Sequence, residues 1–357
     1  MKHLFSFFFC VTVFYANATV RTVSNTPSTL AQFNTVQAAV DAASNGDTIY
    51  VHGSPNVYGS FTMTNKQLTI IGPGWSPNKQ LALTATIQGC IITGTGCANS
   101  EFQGLVFTST VNIASNQPDN LRFIRNYFFQ LSISINQGGV TYSGYLFEGN
   151  IFDNSSADAT TSSTYQNFLF QNNYFYESGC CRDGNIGGFF NSINVLFNHN
   201  LWFGPGSGTR NAFTASCRFL TITNNIFVRR HASSNNSQST FNNNITFNAG
   251  DNTPWLSNSN LNSGGNVSNQ DPQMVDQASV NAGSNNALND FTIAAGPANN
   301  SASDGKDMGL LYDAVGSLNW ANSRASRLPF IFSMNITNPT IAAGGTLNVQ
   351  VEARKNN

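Results

Sequence analysis

A compact group of charged residues in the middle of the sequence has the chemistry to bind an acidic sugar. Glu177, Arg182 and Asp183 lie close together, and Arg210 follows in the next long loop. Arginine binds carboxylates through two parallel hydrogen bonds, and carboxylates can act as acid and base on a glycosidic bond. These four residues are the catalytic candidates, and Tyr176, Arg182 and Arg210 are the candidates for carbohydrate binding. A salt bridge between Arg182 and Asp183 that only holds the loop is the competing interpretation.

The composition argues against a nucleic-acid partner and for a folded β protein. Charged residues make up 9% of the 357 residues, and 16 Lys and Arg face 17 Asp and Glu, for a net charge of -1. Binding to phosphates needs a surplus of positive charge, which this chain lacks. Hydrophobic residues (40%) and aromatic residues (12%) suffice for a core. The abundance of Phe, Asn, Ser, Thr and Gly favours strands and turns over helices.

An internal repeat supplies the elements that would position these side chains. Five segments have apolar residues five and three positions before a central Asn, and an aromatic residue two positions after it. Weaker copies surround Gly104, Asn244 and Asn266. A repeat of this length indicates coils that bury their apolar side chains only by stacking. The central residues recur every 23 to 27 positions and are Asn126, Asn150, Asn173, Asn200 and Asn225.

Each repeat predicts two strands that meet at a corner. Apolar residues two positions apart point to one face of a strand. The central Asn would then occupy a left-handed backbone conformation at the corner, with Gly104 taking that place in one coil. We predict an all-β, right-handed parallel β-helix of nine to eleven coils. Its interior would hold stacked aromatic side chains from successive coils. An antiparallel sandwich is the alternative, but it does not explain a fixed Asn between two strands.

The two ends of the chain differ from the repeats. Residues 34–43 contain an N-cap residue followed by apolar positions at helical spacing, which predicts a helical cap over the first coil. Residues 328–357 have two stretches of alternating apolar residues, which predict two strands joined by a short connection. We expect this segment to pair with or cover the last coil, or to begin an appended module.

Residues 1–18 have the features of a signal peptide. A positive start precedes an apolar stretch and a small-residue cleavage site at residues 16–18. The apolar stretch is too short to span a bilayer. We therefore expect a secreted, extracellular or cell-surface protein that does not span a membrane. The β-helix domain would comprise residues 19–327, with residues 328–357 as a C-terminal segment.

Five cysteines remain once residues 1–18 are removed. An exported protein can form disulfides, and an odd number leaves at least one thiol free or paired between molecules. Cys90 and Cys97 are suited to a bridge across a loop. The adjacent Cys180 and Cys181 suggest either buried core residues or a metal site, and nearby His ligands are lacking.

Both ends of the β-helix region resemble known proteins. Residues 33–51 and 68–74 resemble the opening of pectin-lyase-like β-helix proteins. Residues 271–276, 289–293, 296–298 and 304–309 resemble the closing coils of bacterial surface proteins with parallel β-helix repeats. The last pattern departs mildly from the usual one, because residues 296–297 lack a Ser between Gly and Pro and Met308 replaces Ile. The resemblance implies a fold rather than an activity, because the proteins that share this fold include lyases, hydrolases, epimerases and non-enzymatic surface proteins.

The catalytic machinery that the resemblance implies is largely missing. No Lys lies between Lys79 and Lys306, so a lyase would need Arg as its base. Asp153 and Asp158 are the nearest approach to a carboxylate pair, which supports neither a Ca²⁺ site nor a glycosidase. We therefore predict no metal and no cofactor, with a polysaccharide bound along the groove of stacked coils. A polysaccharide lyase or glycoside hydrolase acting on an acidic polysaccharide is the alternative.

Overall fold

The computed structural model describes residues 18–27, 29–75, 83–114, 118–177, 185–204, 211–214, 216–233, 236–282, 284, 286–287, 289–312, 318–321, 330–336 and 344–354. The chain forms a parallel β-solenoid of about 9 turns. The predicted all-β fold, its parallel coils and its helical N-terminal cap are confirmed. Residues 1–17 of the expected signal peptide lie outside the described residues.

Three long parallel sheets, named A, B and C here, form the walls of the solenoid. Sheet A has 11 strands: Val20–Val23, Thr48–Val51, Thr69–Ile71, Glu101–Gln103, Arg122–Ile124, Leu146–Glu148, Leu169–Gln171, Val195–Asn198, Leu220–Thr223, Thr240–Asn242 and Leu261–Asn262. Sheet B has 8 strands: Thr86–Ile87, Val106–Phe107, Tyr127–Phe129, Ile151–Asp153, Tyr174–Tyr176, Leu201–Phe203, Ile226–Val228 and Ile245–Phe247. Sheet C has 8 strands: Phe61–Thr64, Cys90–Thr93, Val111–Ile113, Ser132–Ile135, Ser156–Ala159, Ile186–Gly187, Asn211–Phe213 and His231–Ser233.

Smaller elements complete the described structure. Sheet D lies between sheets C and A in the middle coils and has 3 parallel strands: Thr141–Ser143, Thr164–Gln166 and Asn191–Ile193. An antiparallel pair joins Phe330–Ile336 to Val349–Arg354. The α-helices are Val36–Ala42 and Gln277–Asn281, and the 3₁₀-helices are Thr95–Cys97 and Pro254–Leu256.

The predicted aromatic stacks fill the interior. Equivalent residues pair in register from coil to coil, for example Phe123 with Phe102 and Phe147. Ring centroids in the sheet A stack are 4.5 to 5.1 Å apart, and neighbouring rings are within 12° of parallel. This stack consists of Phe102, Phe123, Phe147, Phe170 and Phe197. A second aromatic stack lies inside sheet B and consists of Phe107, Phe128, Phe152, Phe175, Trp202 and Phe227.

The central Asn residues line one edge in register, where they form a buried ladder of side-chain amides. From Asn150 onward, each Oδ1 accepts hydrogen bonds from the backbone N–H and the Nδ2 of the Asn one coil earlier. The backbone bonds are 2.9 to 3.0 Å long. Each Nδ2 also donates to a Phe or Ile carbonyl of the coil before, as Asn150 does to Phe123 at 2.9 Å. The ladder runs through Asn126, Asn150, Asn173, Asn200, Asn225, Asn244 and Asn266.

The prediction that the central Asn is the left-handed residue is wrong by one position. The residue before it has the positive φ, with values of 52° at Arg125, 54° at Asn172 and 53° at His199. Gly104 likewise has φ of 65° and aligns with Arg125, so Leu105 holds the Asn place in its coil. The physical reason is that each ladder Asn must direct its amide along the solenoid axis to reach the next coil. The residue before it therefore takes the left-handed conformation that turns the chain.

The helix Val36–Ala42 covers the N-terminal end of the core. Thr35 is its N-cap, and its Oγ1 accepts a hydrogen bond from the backbone N–H of Ala38 at 3.2 Å. The helix buries Val36, Ala39 and Val40 against strands of the first coils. This apolar stripe protects the open end of the first coil from solvent.

The described residues of 271–282, 289–312 and 318–321 do not form closing coils, which corrects the interpretation drawn from the resemblance. We call them the return segment, because they run back along the outer face of sheet B. Met274, Phe291, Ile293, Met308 and Trp320 pack there in one buried cluster with outward-facing residues of sheet B. These outward-facing apolar positions of sheet B are thereby removed from water, which makes the segment a second layer of the fold.

The C-terminal strands are as predicted, but they pair only with each other among the described residues. The expectation that they add to the last coil by strand pairing is therefore wrong for these strands. Residues 337–348 separate them, a longer connection than expected. Ile336, Leu347, Val349 and Val351 are exposed.

The cysteines that the structure describes are free thiols. Cys90, Cys97 and Cys217 are buried and unbridged, so the expected disulfide between Cys90 and Cys97 is wrong. The Sγ of Cys97 lies 3.3 Å from the carbonyl oxygen of Thr93 and 3.5 Å from that of Met63. Burial raises the pKa of Cys217 to about 11, which keeps its thiol protonated. Cys180 and Cys181 lie outside the described residues.

Replacing Phe170 by Ala should destabilise the fold by about 3–5 kcal/mol, because the substitution opens a cavity between two stacked rings. The measurement is the midpoint and slope of urea unfolding. Phe129→Ala is the matched control, because Phe129 lies on the outside of sheet B and is 38% exposed. Equal midpoints for the two variants would contradict the stacked interior.

Candidate functional site

Of the predicted site residues, the structure describes only Tyr176 and Glu177, so the proposed cluster stays a prediction. Arg182, Asp183 and Arg210 lie outside the described residues. Glu177 is fully buried, and the side chain of Tyr176 is 8% exposed. Tyr176 stacks on Phe203 with ring centroids 5.5 Å apart. A buried aromatic ring offers no face to a sugar, so Tyr176 is a packing residue and the prediction that it binds carbohydrate is wrong.

Two further aromatic residues of the same coils, Tyr174 and Trp202, are also inaccessible. Trp202 belongs to the interior stack, 3.8 Å from Phe175 between ring centroids. Tyr174 is 1% exposed and packs on Phe291 of the return segment at 5.3 Å. The outer face of sheet B is therefore a covered surface in this part of the solenoid.

Side chains at the corner between sheets A and B hold the return segment in place. Asn243 donates to the carbonyl of Ser301 at 2.7 Å. Asn224 accepts from the backbone N–H of Ser303 at 2.7 Å. Further along, Asn172 accepts from Leu311 and donates to Leu318, and Arg125 donates to the carbonyl of Asn319. The left-handed corner residues thus serve as a row of binding groups for the segment.

His199 is the titratable member of this row. It is fully buried at its left-handed corner. Its Nδ1 lies 3.2 Å from the carbonyl oxygen of Gly309, and its Nε2 lies 3.2 Å from Asp304 Oδ2 and 3.3 Å from Asn224 Nδ2. Burial lowers the pKa of His199, and Asp304 opposes this only in part. Because Asp304 is 43% exposed, solvent screens its charge.

The outer face of sheet A carries polar side chains together with the half-buried Leu146, Leu169 and Leu196, which lie in register in three neighbouring coils. Eight residues from four neighbouring coils line a shallow cavity of about 370 Å³. At its centre, Arg122 Nε lies 3.3 Å from Glu101 Oε2, and the Arg122 side chain is 45% exposed. The lining residues are Gln67, Thr69, Asn99, Glu101, Asn120, Arg122, Gly144 and Leu146.

A row of exposed amide side chains borders this face, at the corner where each coil enters sheet A. Asn120 Nδ2 donates to Asn99 Oδ1 at 3.1 Å, and Asn194 Nδ2 donates to Asn167 Oδ1 at 3.3 Å. Their backbones are left-handed, with φ between 55° and 62°. We call this set the amide row; its members are Asn99, Asn120, Asn167, Asn194 and Gln238.

The sequence marks three members of the amide row by their position relative to the repeat. Asn120, Asn167 and Asn194 each stand immediately before the first apolar residue of a repeat. Asn at a fixed position before a strand indicates a left-handed corner. Exposure could not be inferred from the same pattern, because buried corners also have Asn.

No metal site is apparent in the described part of the chain, where no three His, Cys, Asp or Glu side chains are grouped to hold an ion. None of the described helices is long and apolar enough to cross a membrane. No protein-family model matches the chain, and no curated protein matches it. The likeness to pectin-lyase-like proteins therefore rests on the sequence patterns and on the coiled fold.

The protein should lose stability as the pH falls below about 6.5, in part because of His199. With a lowered pKa in the folded state, the histidine takes up a proton at higher pH when the chain is unfolded. Stability from this group is thus fully present at neutral pH and is lost as the pH falls toward the folded-state pKa. Thermal unfolding midpoints between pH 7.5 and 5 measure the effect.

His199→Asn is the matched variant, because Asn occupies the equivalent places at 172, 224 and 243. It retains the left-handed corner but cannot titrate. The variant should lose less stability than the wild type over the same pH range. His52, whose pKa burial also lowers, is present in both proteins and cancels in the comparison. Superimposable pH profiles would refute the role of His199.

Proposed function

We propose that this chain is an exported, extracellular or cell-surface protein that binds polysaccharide along the outer face of sheet A. The observation that carries the proposal is the amide row beside the open, polar cavity around Arg122. Asn and Gln side chains each offer a donor and an acceptor, which suits the paired donor and acceptor character of sugar hydroxyls.

The geometry of the row suits an extended ligand. Successive coils stack about 4.8 Å apart, so amides in adjacent coils recur at the spacing of neighbouring strands, and Gly144 and Phe219 interrupt the row. A linear glycan lying along the solenoid would meet one polar group at nearly every sugar. Because the solenoid is rigid, little conformational entropy of the protein is lost on binding.

Binding without turnover is favoured over catalysis by the state of the charged groups on this face. Glu101 is buried to 5% exposure of its side chain and engaged by Arg122. The pair is suited to orient a ligand by hydrogen bonds.

The alternative is a lyase or hydrolase of an acidic polysaccharide that uses Arg182 or Arg210. One screen of the purified protein against acidic and neutral polysaccharides separates the two functions. It records unsaturated product by ultraviolet absorbance, new reducing ends, and retardation in glycan-loaded gels. Retardation without product supports binding. Turnover that disappears in Arg182→Ala or Arg210→Ala would replace the binding proposal with the enzyme.

Replacing Asn167 and Asn194 together by Gly should weaken polysaccharide binding by about tenfold to a hundredfold, since each amide contributes about 0.5–1.5 kcal/mol through its hydrogen bonds. Glycine adopts the left-handed conformation readily, so the coils should retain their structure. Affinity electrophoresis over a series of glycan concentrations gives the dissociation constant.

Asn248→Gly is the control for the double variant. Asn248 is also exposed and left-handed, with φ of 49°, but it follows sheet B rather than preceding sheet A. Its replacement should leave binding unchanged. Equal weakening by the control, or full binding by the double variant, would exclude the amide row as the binding surface.

A further inference from the structure

One member of the exposed corner before sheet A departs from the amide pattern. Phe219 occupies the place equivalent to Asn194, because Val195 pairs with Leu220 in the next coil. Its φ is 57°, and the side chain is 48% exposed. A bulky residue in the left-handed region is strained, by about 1–3 kcal/mol. Asn or Gly would be more stable here, so the fold alone does not account for a phenylalanine.

The residue before it is an arginine stacked on an aromatic ring. The guanidinium carbon of Arg218 lies 4.0 Å from the centroid of the Phe190 ring. Its buried Nε has no hydrogen-bond partner among the residues that the structure describes. Among the ion pairs of the described residues, none involves Arg218. A guanidinium at this distance over a ring makes a cation–π contact, and its planar set of N–H donors suits a carboxylate.

We infer that Arg218, Phe190 and Phe219 form a subsite for an anionic sugar at the edge of sheet A. The inference rests on the proposed function and specifies its ligand as a carboxylated polysaccharide. The Arg218 guanidinium binds the sugar carboxylate, and the exposed ring of Phe219 packs against the apolar C–H face of the sugar. Phe190 holds the guanidinium in position and is a positioning residue.

The parts of the subsite are complementary in their chemistry. A guanidinium binds a carboxylate through a planar pair of hydrogen bonds, which gives orientation as well as attraction. The Phe219 ring gains by covering apolar surface when a sugar lies on it. Asn194 and Gln238 flank Phe219 in the neighbouring coils of the same corner. A glycan following the amide row would therefore meet the carboxylate-binding group and the aromatic ring together.

The strain at Phe219 gives a test in which stability and binding change in opposite directions. Phe219→Asn should raise the thermal unfolding midpoint, because Asn tolerates a positive φ. The same variant should weaken binding of alginate or hyaluronate by about tenfold, a change worth about 1.4 kcal/mol. Arg218→Gln and Arg218→Lys should each weaken binding at least as much, since neither retains the planar fork. Phe129→Asn, on sheet B, is the control and should bind as the wild type does.

Carboxyl-reduced forms of the same polysaccharides separate the contributions of Arg218 and Phe219. The wild type should bind them more weakly than the acidic forms, and Arg218→Gln should bind both forms equally. Wild-type protein that binds polysaccharide with no preference for carboxylates, or unchanged binding by both the Arg218 and Phe219 variants, would overturn this subsite alone. A wild type that binds neither acidic nor neutral polysaccharide would overturn the proposed function itself.

Discussion

The buried amide ladder is the interaction on which the rest of this structure depends. Polar groups inside a protein must be hydrogen-bonded, and a ladder of Asn side chains meets this requirement only when successive coils are in register. A slip by one residue in any coil would leave the amide of an Asn such as Asn173 without partners and would turn apolar side chains outward. The ladder therefore fixes the alignment of the aromatic rings inside and of the polar residues outside. The Phe stacks contribute apolar burial, which is less directional than the hydrogen bonds of the ladder.

The two rows of left-handed corner residues make different contacts. At the corner between sheets A and B, Arg125, Asn172, His199 and Asn224 direct their side chains to the return segment. At the corner that enters sheet A, the amide row is exposed to solvent. The same backbone requirement thus yields one row that binds the chain itself and one that is available to a ligand. The difference arises from what lies outside each corner.

The return segment decides which face of the solenoid can bind a ligand. It covers the outward apolar residues of sheet B, including Tyr174 and Tyr176, and so it removes the aromatic side chains first expected in a sugar site. Sheet A keeps an open face with hydroxyl and amide groups and few charges. The low overall charge of the chain agrees with a surface that binds by hydrogen bonds, with arginine only at isolated places such as Arg122 and Arg218.

The repeat pattern by itself determined the parallel coils, the central Asn edge and the two aromatic stacks, because these depend on side-chain alternation within a single coil. The pattern placed the left-handed residue at the central Asn, one position too late. Gly104 and the Asn residues all tolerate a positive φ, so residue type alone did not distinguish the central position from the one before it. Only the tertiary structure decided that the return segment forms an outer layer rather than coils, that Cys90 and Cys97 stay apart, and that Tyr176 is buried. The burial of an outward-facing residue such as Tyr176 depends on a segment about a hundred positions away, about which the local pattern has no information.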